Sequence, residues 1–409
     1  MNVLQIIPSM DPDSGGTSQG IRNIIPELEQ LGVYNEVLCL DDPANNFTGK
    51  DPFITTAIGH TKGPWRHSPK LVPWLVDNLG RFDVVIVNAL WLYHGYAIRK
   101  ALQQYKKLGT SAGKELKCPK IFVMPHGMLD PYFQRTPGRR IKALRNRAYW
   151  KLIESKLVNN SDGLLFTCEQ ELLLARETFR PYRPAREINI GYGVIAPPPF
   201  ETVMKEALLE RCPGIKGHPF ILFLSRIHEK KGTAHLIKAY LELVITGKEM
   251  NGKYPGTAPI PKLIIAGPGL DTPYGKKIQL MVAASPEIKN KVIFPGMLTG
   301  NAKWGAFYQC EAFILPSHQE NFGIAVVEAL ACGKPVLISN QVNIWREIVG
   351  VGGGLVADDT EKGTLTLLES WQKLSVQQKE IMGANATMAY ENHFKIESAA
   401  KKLLQALAD

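Results

Sequence analysis

Two glutamates, Glu320 and Glu328, flank a short glycine-containing turn in the last quarter of the 409-residue chain. The turn, Asn321-Phe322-Gly323, precedes a helix-forming apolar run from Ala325 to Ala331. The first N–H groups of a helix lack backbone partners and, with the helix dipole, favour an anion. Carboxylates strengthen the hydrogen bonds that they accept from hydroxyl groups. The pattern therefore predicts a site for a phosphate and for sugar hydroxyls, as in a sugar nucleotide.

Two cations, Arg226 and Lys231, follow the apolar run Phe220 to Leu224, which is typical of a buried parallel strand. Open α/β sheets bind ligands at the carboxyl ends of their strands, where both charges would meet a diphosphate. A less specific interpretation of the glutamates remains open. In it Glu320 is a solvated loop residue and Glu328 pairs with a nearby Lys or Arg.

Together the two motifs resemble the donor half of the GT-B-fold retaining glycosyltransferases of family 4. The resemblance runs from the glycine loop near residue 15 to the C-terminal helix. It implies an α/β fold, GT-B, with two Rossmann-like parallel-sheet domains facing across a cleft. It assigns Arg226 and Lys231 to the diphosphate, Glu320 to the hexose and Glu328 to the ribose. The donor-binding turn that it implies comprises Asn321, Phe322, Gly323, Ile324, Ala325 and Glu328.

Further donor contacts come from other strand ends. Gly16 can bring its N–H close to a phosphate because it has no side chain, although a plain glycine turn is the alternative. Gly267 resembles a family glycine near the nucleotide, and Met297 and Leu298 resemble the element whose backbone reads the base edge. His126 resembles the family histidine that meets the transferred sugar, and a packed core histidine is the alternative.

The acceptor side is represented by Asn88 to Gly95, where Trp91 and His94 offer an aromatic and a polar group to a saccharide or polyisoprenyl-linked acceptor. Packing between the two domains is the equally weighted alternative. One position departs from the family pattern, since Tyr192 stands where relatives commonly have an asparagine before glycine and valine. A side-chain contact from that position is therefore in doubt.

Composition fits this class of protein. The chain has 45% hydrophobic residues, no 18-residue apolar run and six cysteines without a Cys-x2-Cys pair. We therefore expect reduced cysteines and a cytoplasmic enzyme, with a peripheral location on the inner face of the plasma membrane as an open alternative. We expect no cofactor and no metal, because no histidine cluster has metal-ligand spacing. The Asp-x-Asp pair of Asp11 and Asp13 reads as a solvated loop rather than a metal site.

The alternation of apolar runs and helical patterns predicts two domains. The first covers residues 1–195 with a C-terminal helix, about 391–409, crossing back to it, and the second covers residues 200–390. The predicted linker between the two domains is the proline-rich segment Ile195 to Phe200.

Basic charge is concentrated between Arg99 and Asn160, a segment with 15 Lys or Arg residues and only three acidic residues. Residues 139–158 also place Ile141, Leu144, Ala148 and Leu152 at helical spacing beside several cations, as in a basic amphipathic helix. An anionic membrane surface and a solvated helix face are equally weighted interpretations. Nucleic acid is not expected, because no base-reading motif accompanies the charge.

The resemblance, with these observations beside it, implies a metal-independent retaining hexosyltransferase. Its expected substrates are a nucleotide sugar, with UDP-glucose preferred on family frequency, and a saccharide or lipid-linked acceptor of cell-surface polysaccharide synthesis. The alternatives are a GT-B sugar-nucleotide epimerase or hydrolase and a non-catalytic nucleotide-sugar-binding protein.

Overall fold

A computed structural model describes residues 1–12, 15–45, 47, 49–111, 113, 116–136, 138, 140–253 and 259–409, with the backbone alone for residues 248–253. The chain divides into two compact units. The first comprises Met1–Gly193 and Ile396–Asp409, and the second comprises Val194–Lys395.

The first unit contains a parallel sheet with the strand order β3-β2-β1-β4-β5-β6-β7. Its central strands are buried on both faces. Val85 and Val87 pack on one side of β4 while Val84 and Ile86 pack on the other, which explains the continuous apolar runs in the sequence. The strands are β1 (Asn2–Ile7), β2 (Tyr34–Cys39), β3 (Ile54–Ala57), β4 (Val84–Asn88), β5 (Lys120–Met124), β6 (Gly163–Phe166) and β7 (Glu187–Asn189).

Helices cover both faces of this sheet. The helices described before residue 193 are α1 (Gly16–Gln30), α2 (Leu71–Asn78), α3 (Tyr93–Ser111), α4 (Tyr132–Arg135), α5 (Arg140–Tyr149), α6 (Ser155–Val158) and α7 (Glu169–Thr178). Leu71 of α2 and Ile98 of α3 belong to the core on one face. Leu28 of α1 packs on the other face with Leu403 of the C-terminal helix. A π-helical turn, Trp150–Glu154, joins α5 to α6.

The second unit repeats this architecture with the strand order β10-β9-β8-β11-β12-β13, all parallel. Its strands are β8 (Phe220–Leu224), β9 (Lys262–Ala266), β10 (Val292–Gly296), β11 (Ala312–Leu315), β12 (Val336–Ser339) and β13 (Gly354–Ala357). Its helices are α8 (Thr202–Arg211), α9 (Thr233–Lys253), α10 (Pro273–Ala283), α11 (Gly300–Gln309), α12 (Ile324–Ala331), α13 (Trp345–Gly350), α14 (Glu361–Lys373) and α15 (Val376–Ala389). The C-terminal helix, α16 (Ile396–Ala408), belongs to the first unit.

The two parallel sheets confirm the predicted Rossmann-like fold class. Three strands were not predicted from the sequence, namely β3, β7 and β13, and each lies at the edge of its sheet. An edge strand pairs on one side only and is short, so its apolar pattern is weak. All four residues of β3, for example, retain some exposure.

The basic helix differs from the amphipathic prediction in one respect. Between residues 140 and 152 its buried positions are Ala143, Asn146 and Trp150. Ile141, Leu144 and Leu152 are 87%, 69% and 66% exposed, so the apolar stripe faces solvent together with its cations. Residue 139 lies outside the described residues.

Candidate functional site

Two loops that follow the neighbouring strands β8 and β11 contact each other in the second unit. The Lys230 carbonyl accepts hydrogen bonds from the His318 N–H (2.8 Å) and from the Ser317 hydroxyl (3.0 Å). Gly232 has φ +70°, and a Cβ there would lie 1.9 Å from the Pro316 carbonyl oxygen. Only glycine permits this close approach, which brings the Lys231 loop against the Glu320 loop.

Lys231 and Glu320 form an ion pair between these loops, and their side chains are 9% and 19% exposed. The Glu320 backbone is held on both sides, since its N–H donates to Gln341 (2.9 Å) and its carbonyl accepts from Asn343 (3.0 Å). Glu320 is therefore not a solvated loop residue, and that alternative is wrong. A diphosphate at Lys231 would compete with the carboxylate and release it to accept hydroxyl groups.

Glu328, on α12, pairs with Lys303 on α11 at 2.6 Å. Burial raises the pKa of Glu328, and the Lys303 ammonium opposes that rise. The Lys303 Nζ also lies 4.6 Å from the centroid of the Trp304 ring. The expected pairing of Glu328 with a nearby lysine is thus present. Lys303 itself was not identified from the sequence, because nothing in a lone lysine on a helix predicts its partner on another helix.

The turn between the two glutamates is fixed by packing. Phe322 is 6% exposed, and its ring meets the Phe394 ring edge-on at 5.7 Å. Gly323 has φ +82° at the N-cap of α12, a conformation that favours glycine. The first helical hydrogen bond runs from the Val326 N–H to the Gly323 carbonyl, so the N–H groups of Ile324 and Ala325 precede it. Asn321 accepts a hydrogen bond from the Asn343 side chain (3.4 Å).

The remaining donor residues lie at the carboxyl ends of β8, β9 and β10. Arg226 is exposed just after β8. Gly267 has φ +135°, and a Cβ there would lie 2.0 Å from the Ser225 carbonyl oxygen, so the loops after β8 and β9 also touch. Met297 is 56% exposed whereas Leu298 is 5% exposed. Leu298 can therefore offer a ligand its backbone but not its side chain.

His126 lies in a strained turn of the first unit. It has φ +53° and is followed by Gly127 with φ +78°. Residues in this region cost free energy and concentrate at functional sites. The Glu171 carboxylate holds the turn, because it accepts hydrogen bonds from the Gly127 N–H and from the N–H (2.8 Å) and hydroxyl (2.6 Å) of Thr167. Glu171 was missed in the sequence, where it looks like an ordinary acid in the first turn of a helix.

Tyr192 connects His126 to the glycine loop. Its hydroxyl donates to the Gly16 carbonyl (2.7 Å), and its ring meets the His126 ring edge-on at 6.4 Å. A Cβ at Gly20 would lie 1.6 Å from the Tyr192 hydroxyl oxygen, so α1 accommodates this ring only because residue 20 is glycine. Gly16 is exposed at the first position of α1. The tyrosine that departs from the family pattern thus positions the loop that carries Gly16.

The predicted acceptor loop is also strained, with Ala89 at φ +71° and Trp91 at φ +72°. The Trp91 N–H donates to the buried Glu154 carboxylate at 2.7 Å, and its half-buried ring lies 5.3 Å from the Phe179 ring. His94 is fully buried, and its Nε2 is bonded to the Asn88 (2.9 Å) and Ala89 (3.1 Å) carbonyls. The prediction that His94 contacts the acceptor is therefore wrong, because its ring supports the loop from inside.

Two sequence expectations concern metals and membranes. Asp13 of the Asp-x-Asp pair lies outside the described residues. In the part of the chain that the structure covers, no three His, Cys, Asp or Glu side chains are grouped so that they could hold a metal ion. The described helices likewise include none with the length and apolar character needed to cross a bilayer.

Comparison with known proteins gives a family match within the second unit. Residues 209–388 match the family model of the glycosyl transferases group 1. A glycosyltransferase of Methanocaldococcus jannaschii described as uncharacterized is 26% identical over 161 residues, 38% of this chain and 37% of that protein. The chain spans about a third of the length of the first curated relatives that it matches.

A longer match is to a GDP-mannose-dependent alpha-(1-6)-phosphatidylinositol monomannoside mannosyltransferase of Mycolicibacterium smegmatis. It is 24% identical over 259 residues, 59% of this chain and 63% of that protein. Among solved structures, Anabaena HepE in complex with UDP and glucose aligns with a TM-score of 0.70 at 17% identity, covering 100% of this chain and 99% of that one. This likeness confirms the GT-B fold that the sequence predicts.

Proposed function

We propose that the chain is a retaining glycosyltransferase that moves a hexose from a nucleotide sugar to a saccharide or lipid-linked acceptor in cell-surface polysaccharide synthesis. The ion pair of Lys231 with Glu320, within the glycosyl transferases group 1 domain, carries this proposal. A buried cation and a half-buried carboxylate form an ion pair at the carboxyl ends of two strands, which suits a ligand that is anionic at one end and hydroxylated at the other.

Each residue then has a distinct role. Arg226 and Lys231 stabilise the negative charge that develops on the departing diphosphate, as preorganised cations do in phosphoryl chemistry. Glu320, released from Lys231, accepts hydrogen bonds from the hexose hydroxyls together with the amides at the Phe322–Gly323 turn. Glu328 accepts from the ribose hydroxyls, with Lys303 balancing its charge. No metal is required in this scheme, because the two cations supply the charge that a metal would supply.

For the donor, UDP-glucose remains the first candidate and GDP-mannose is the second. The GDP-mannose candidate is supported by the relatives, since the M. smegmatis protein is named GDP-mannose-dependent and two others are named O-antigen chain mannosyltransferases. HepE, which shares the fold, was solved with UDP-glucose as well. If the protein contacts the base through its backbone, few side chains distinguish UDP-glucose from GDP-mannose.

A transfer assay tests the activity. The protein is incubated with UDP-glucose or GDP-mannose, with and without a polyisoprenyl-linked saccharide, and the product anomers are followed by NMR. The proposal expects transfer that needs the acceptor and retains the anomeric configuration. Donor isomerisation or hydrolysis without acceptor would indicate the epimerase or hydrolase alternative. Donor binding without turnover would indicate a non-catalytic binding protein.

We also propose that α5 binds an anionic membrane surface, which would place a cytoplasmic enzyme beside a lipid-linked acceptor. Its solvent-facing residues Ile141 and Leu144 continue into Leu152 on the π-helical turn that follows α5. Five cations lie beside them, namely Arg140, Lys142, Arg145, Arg147 and Lys151. Exposed apolar side chains gain no burial in water but can enter the headgroup region of a membrane. Each cation near an anionic surface contributes about 1 kcal/mol to the binding free energy. The observation that favours this over a solvated face is the exposure of the large apolar residues.

Sedimentation with anionic lipid vesicles tests this second proposal. A variant with Gln at Arg140, Arg145 and Arg147 should lose roughly 100-fold or more of its vesicle affinity, and added salt should weaken wild-type binding. The matched control replaces three exposed lysines of the second unit, Lys205, Lys216 and Lys289, and should bind like wild type. Equal pelleting of wild type and the arginine variant would leave α5 as a solvated face.

A further inference from the structure

Three buried or half-buried polar side chains form a chain of hydrogen bonds across β1, β4 and the turn after β5. The Asn88 amide nitrogen donates to Gln5 Oε1 (2.9 Å), and the Asn88 amide oxygen lies 2.9 Å from His126 Nε2. Gln5 and Asn88 are 3% and 1% exposed, whereas His126 is partly exposed. These hydrogen bonds therefore connect the interior of the sheet to the surface.

The orientation of the Asn88 amide follows from its second neighbour. The atom that approaches Gln5 also lies 3.5 Å from the Ile86 carbonyl oxygen, which can only accept a hydrogen bond. That atom is therefore the amide nitrogen, and the Asn88 oxygen faces His126. Because this oxygen can only accept, His126 Nε2 must carry a proton. The Nδ1 atom of a neutral ring is then an acceptor, and no described residue donates to it.

We propose that Asn88, held by Gln5, is a positioning residue that fixes His126 as the neutral Nε2–H tautomer, so that Nδ1 accepts a hydrogen bond from a substrate hydroxyl group. The identity of the substrate as a sugar rests on the proposed function. The assignment of the His126 tautomer does not. The left-handed backbone at His126, and the Glu171 carboxylate that accepts from the Gly127 N–H, fix the turn that carries the ring.

The surroundings of the ring agree with a neutral histidine. Burial lowers the pKa of His126 to about 4. The titratable groups that face it are the Tyr192 ring, the Glu171 carboxylate bonded to the next residue's N–H, and His94, whose own ring is bonded to the Asn88 carbonyl. His94 also has a pKa lowered to about 4 by burial, so the two histidines must be assigned separately.

The deciding experiment is a pH titration of the full-length protein by 15N NMR, with histidine labelled and the His126 signals assigned by their loss in His126→Gln. We expect protonated Nε2 and unprotonated Nδ1 in wild type at pH 7. In Asn88→Asp a carboxylate occupies the amide position, so the His126 pKa should rise by at least one unit. A wild-type ring protonated at Nδ1, or an unchanged His126 pKa in Asn88→Asp, overturns the proposal.

Activity supplies the second readout, with UDP-glucose and GDP-mannose as probes. In Asn88→Asp the imidazolium has no acceptor at Nδ1, so kcat/KM should fall about 10-fold one pH unit below the His126 pKa titrated in that variant, and it should recover at pH 9. Higher activity below that pKa than at pH 9 would show that Nδ1 must donate, and would overturn the acceptor role. Gln5→Glu provides a second variant if Asn88→Asp does not fold. It should raise the His126 pKa by a smaller amount. An unchanged His126 pKa in Gln5→Glu would contradict the proposed hydrogen-bond connection from Gln5 through Asn88 to His126. Absence of transfer by wild type would refute the proposed function while the NMR result still decides the tautomer.

Discussion

Glu154→Gln should stabilise the first unit at alkaline pH. Glu154 is fully buried on the π turn after α5, where one carboxylate oxygen accepts the Trp91 N–H and the other has no partner among the described residues. Burial raises the pKa of Glu154 from 4.5 to about 7. Glutamine keeps the acceptor for Trp91 and removes the charge, so it mimics the protonated acid.

The direction and size of the effect follow from linkage. A carboxyl whose pKa is raised on folding costs nothing below the unfolded pKa of 4.5, and its cost grows as the pH rises to about 7 and is complete above it. At roughly 1.4 kcal/mol per pKa unit, the full cost is about 3 kcal/mol. His94 has a pKa lowered by burial, so it destabilises the folded protein as the pH falls from 6.5 towards 4. This effect is the same in wild type and in Glu154→Gln, so it cancels from the difference in stability between them.

Differential scanning calorimetry at pH 5 and pH 8.5 measures this effect. For a unit of about 200 residues, each kcal/mol shifts Tm by roughly 2–4 °C, so Glu154→Gln should raise Tm relative to wild type by about 5–10 °C more at pH 8.5 than at pH 5. The exposed Glu29→Gln is the matched control and should show no such difference. An equal Tm difference at both pH values, or a variant less stable than wild type at pH 8.5, would refute the argument from burial.

Three further predictions follow from the two sites. Lys231→Ala and Arg226→Ala should each lower turnover roughly 100-fold or more with the fold retained, as circular dichroism and initial rates would show, and near-normal rates would remove them from the diphosphate site. Turnover should persist in excess EDTA, whereas loss that is reversed by Mg²⁺ or Mn²⁺ would revive the aspartate pair as a metal site. Gly20→Ala should displace the Tyr192 ring and lower stability by about 1–3 kcal/mol in denaturant unfolding; a neutral substitution would show that the ring moves freely.

The fold could be predicted because central parallel strands carry their own signal. Strands such as β8 and β11 are buried on both faces and appear in the sequence as apolar runs, while the cations and glutamates that follow them mark the strand ends. The edge strands β3, β7 and β13 bury less apolar surface and leave no such pattern. Ligand-site residues were therefore easiest to predict where a buried strand precedes them.

The partners of these residues could not be predicted, because they come from distant parts of the chain. Nothing near Glu328 in the sequence points to Lys303, and nothing near His126 points to Glu171. His94 was misjudged for a different, local reason. Its position after a strand suggested exposure, but the left-handed turn at Ala89 and Trp91 folds the loop over it and buries its ring. Positive φ values at residues such as Ala89 and Trp91 have no sequence signature, because alanine and tryptophan rarely adopt them.

Isothermal titration calorimetry of UDP and GDP tests the central claim, that the loops after β8 and β11 hold the diphosphate of a nucleotide sugar. Lys231→Ala should weaken the binding of at least one of these nucleotides 10-fold or more, since a hydrogen bond to a charged group contributes about 1.5–3 kcal/mol. Lys238→Ala, which removes an exposed lysine of α9, should bind within twofold of wild type. The affinity for the nucleoside without phosphates should not change in either variant. Equal affinity of wild type and Lys231→Ala for both diphosphates, or no binding by wild type, would contradict the account.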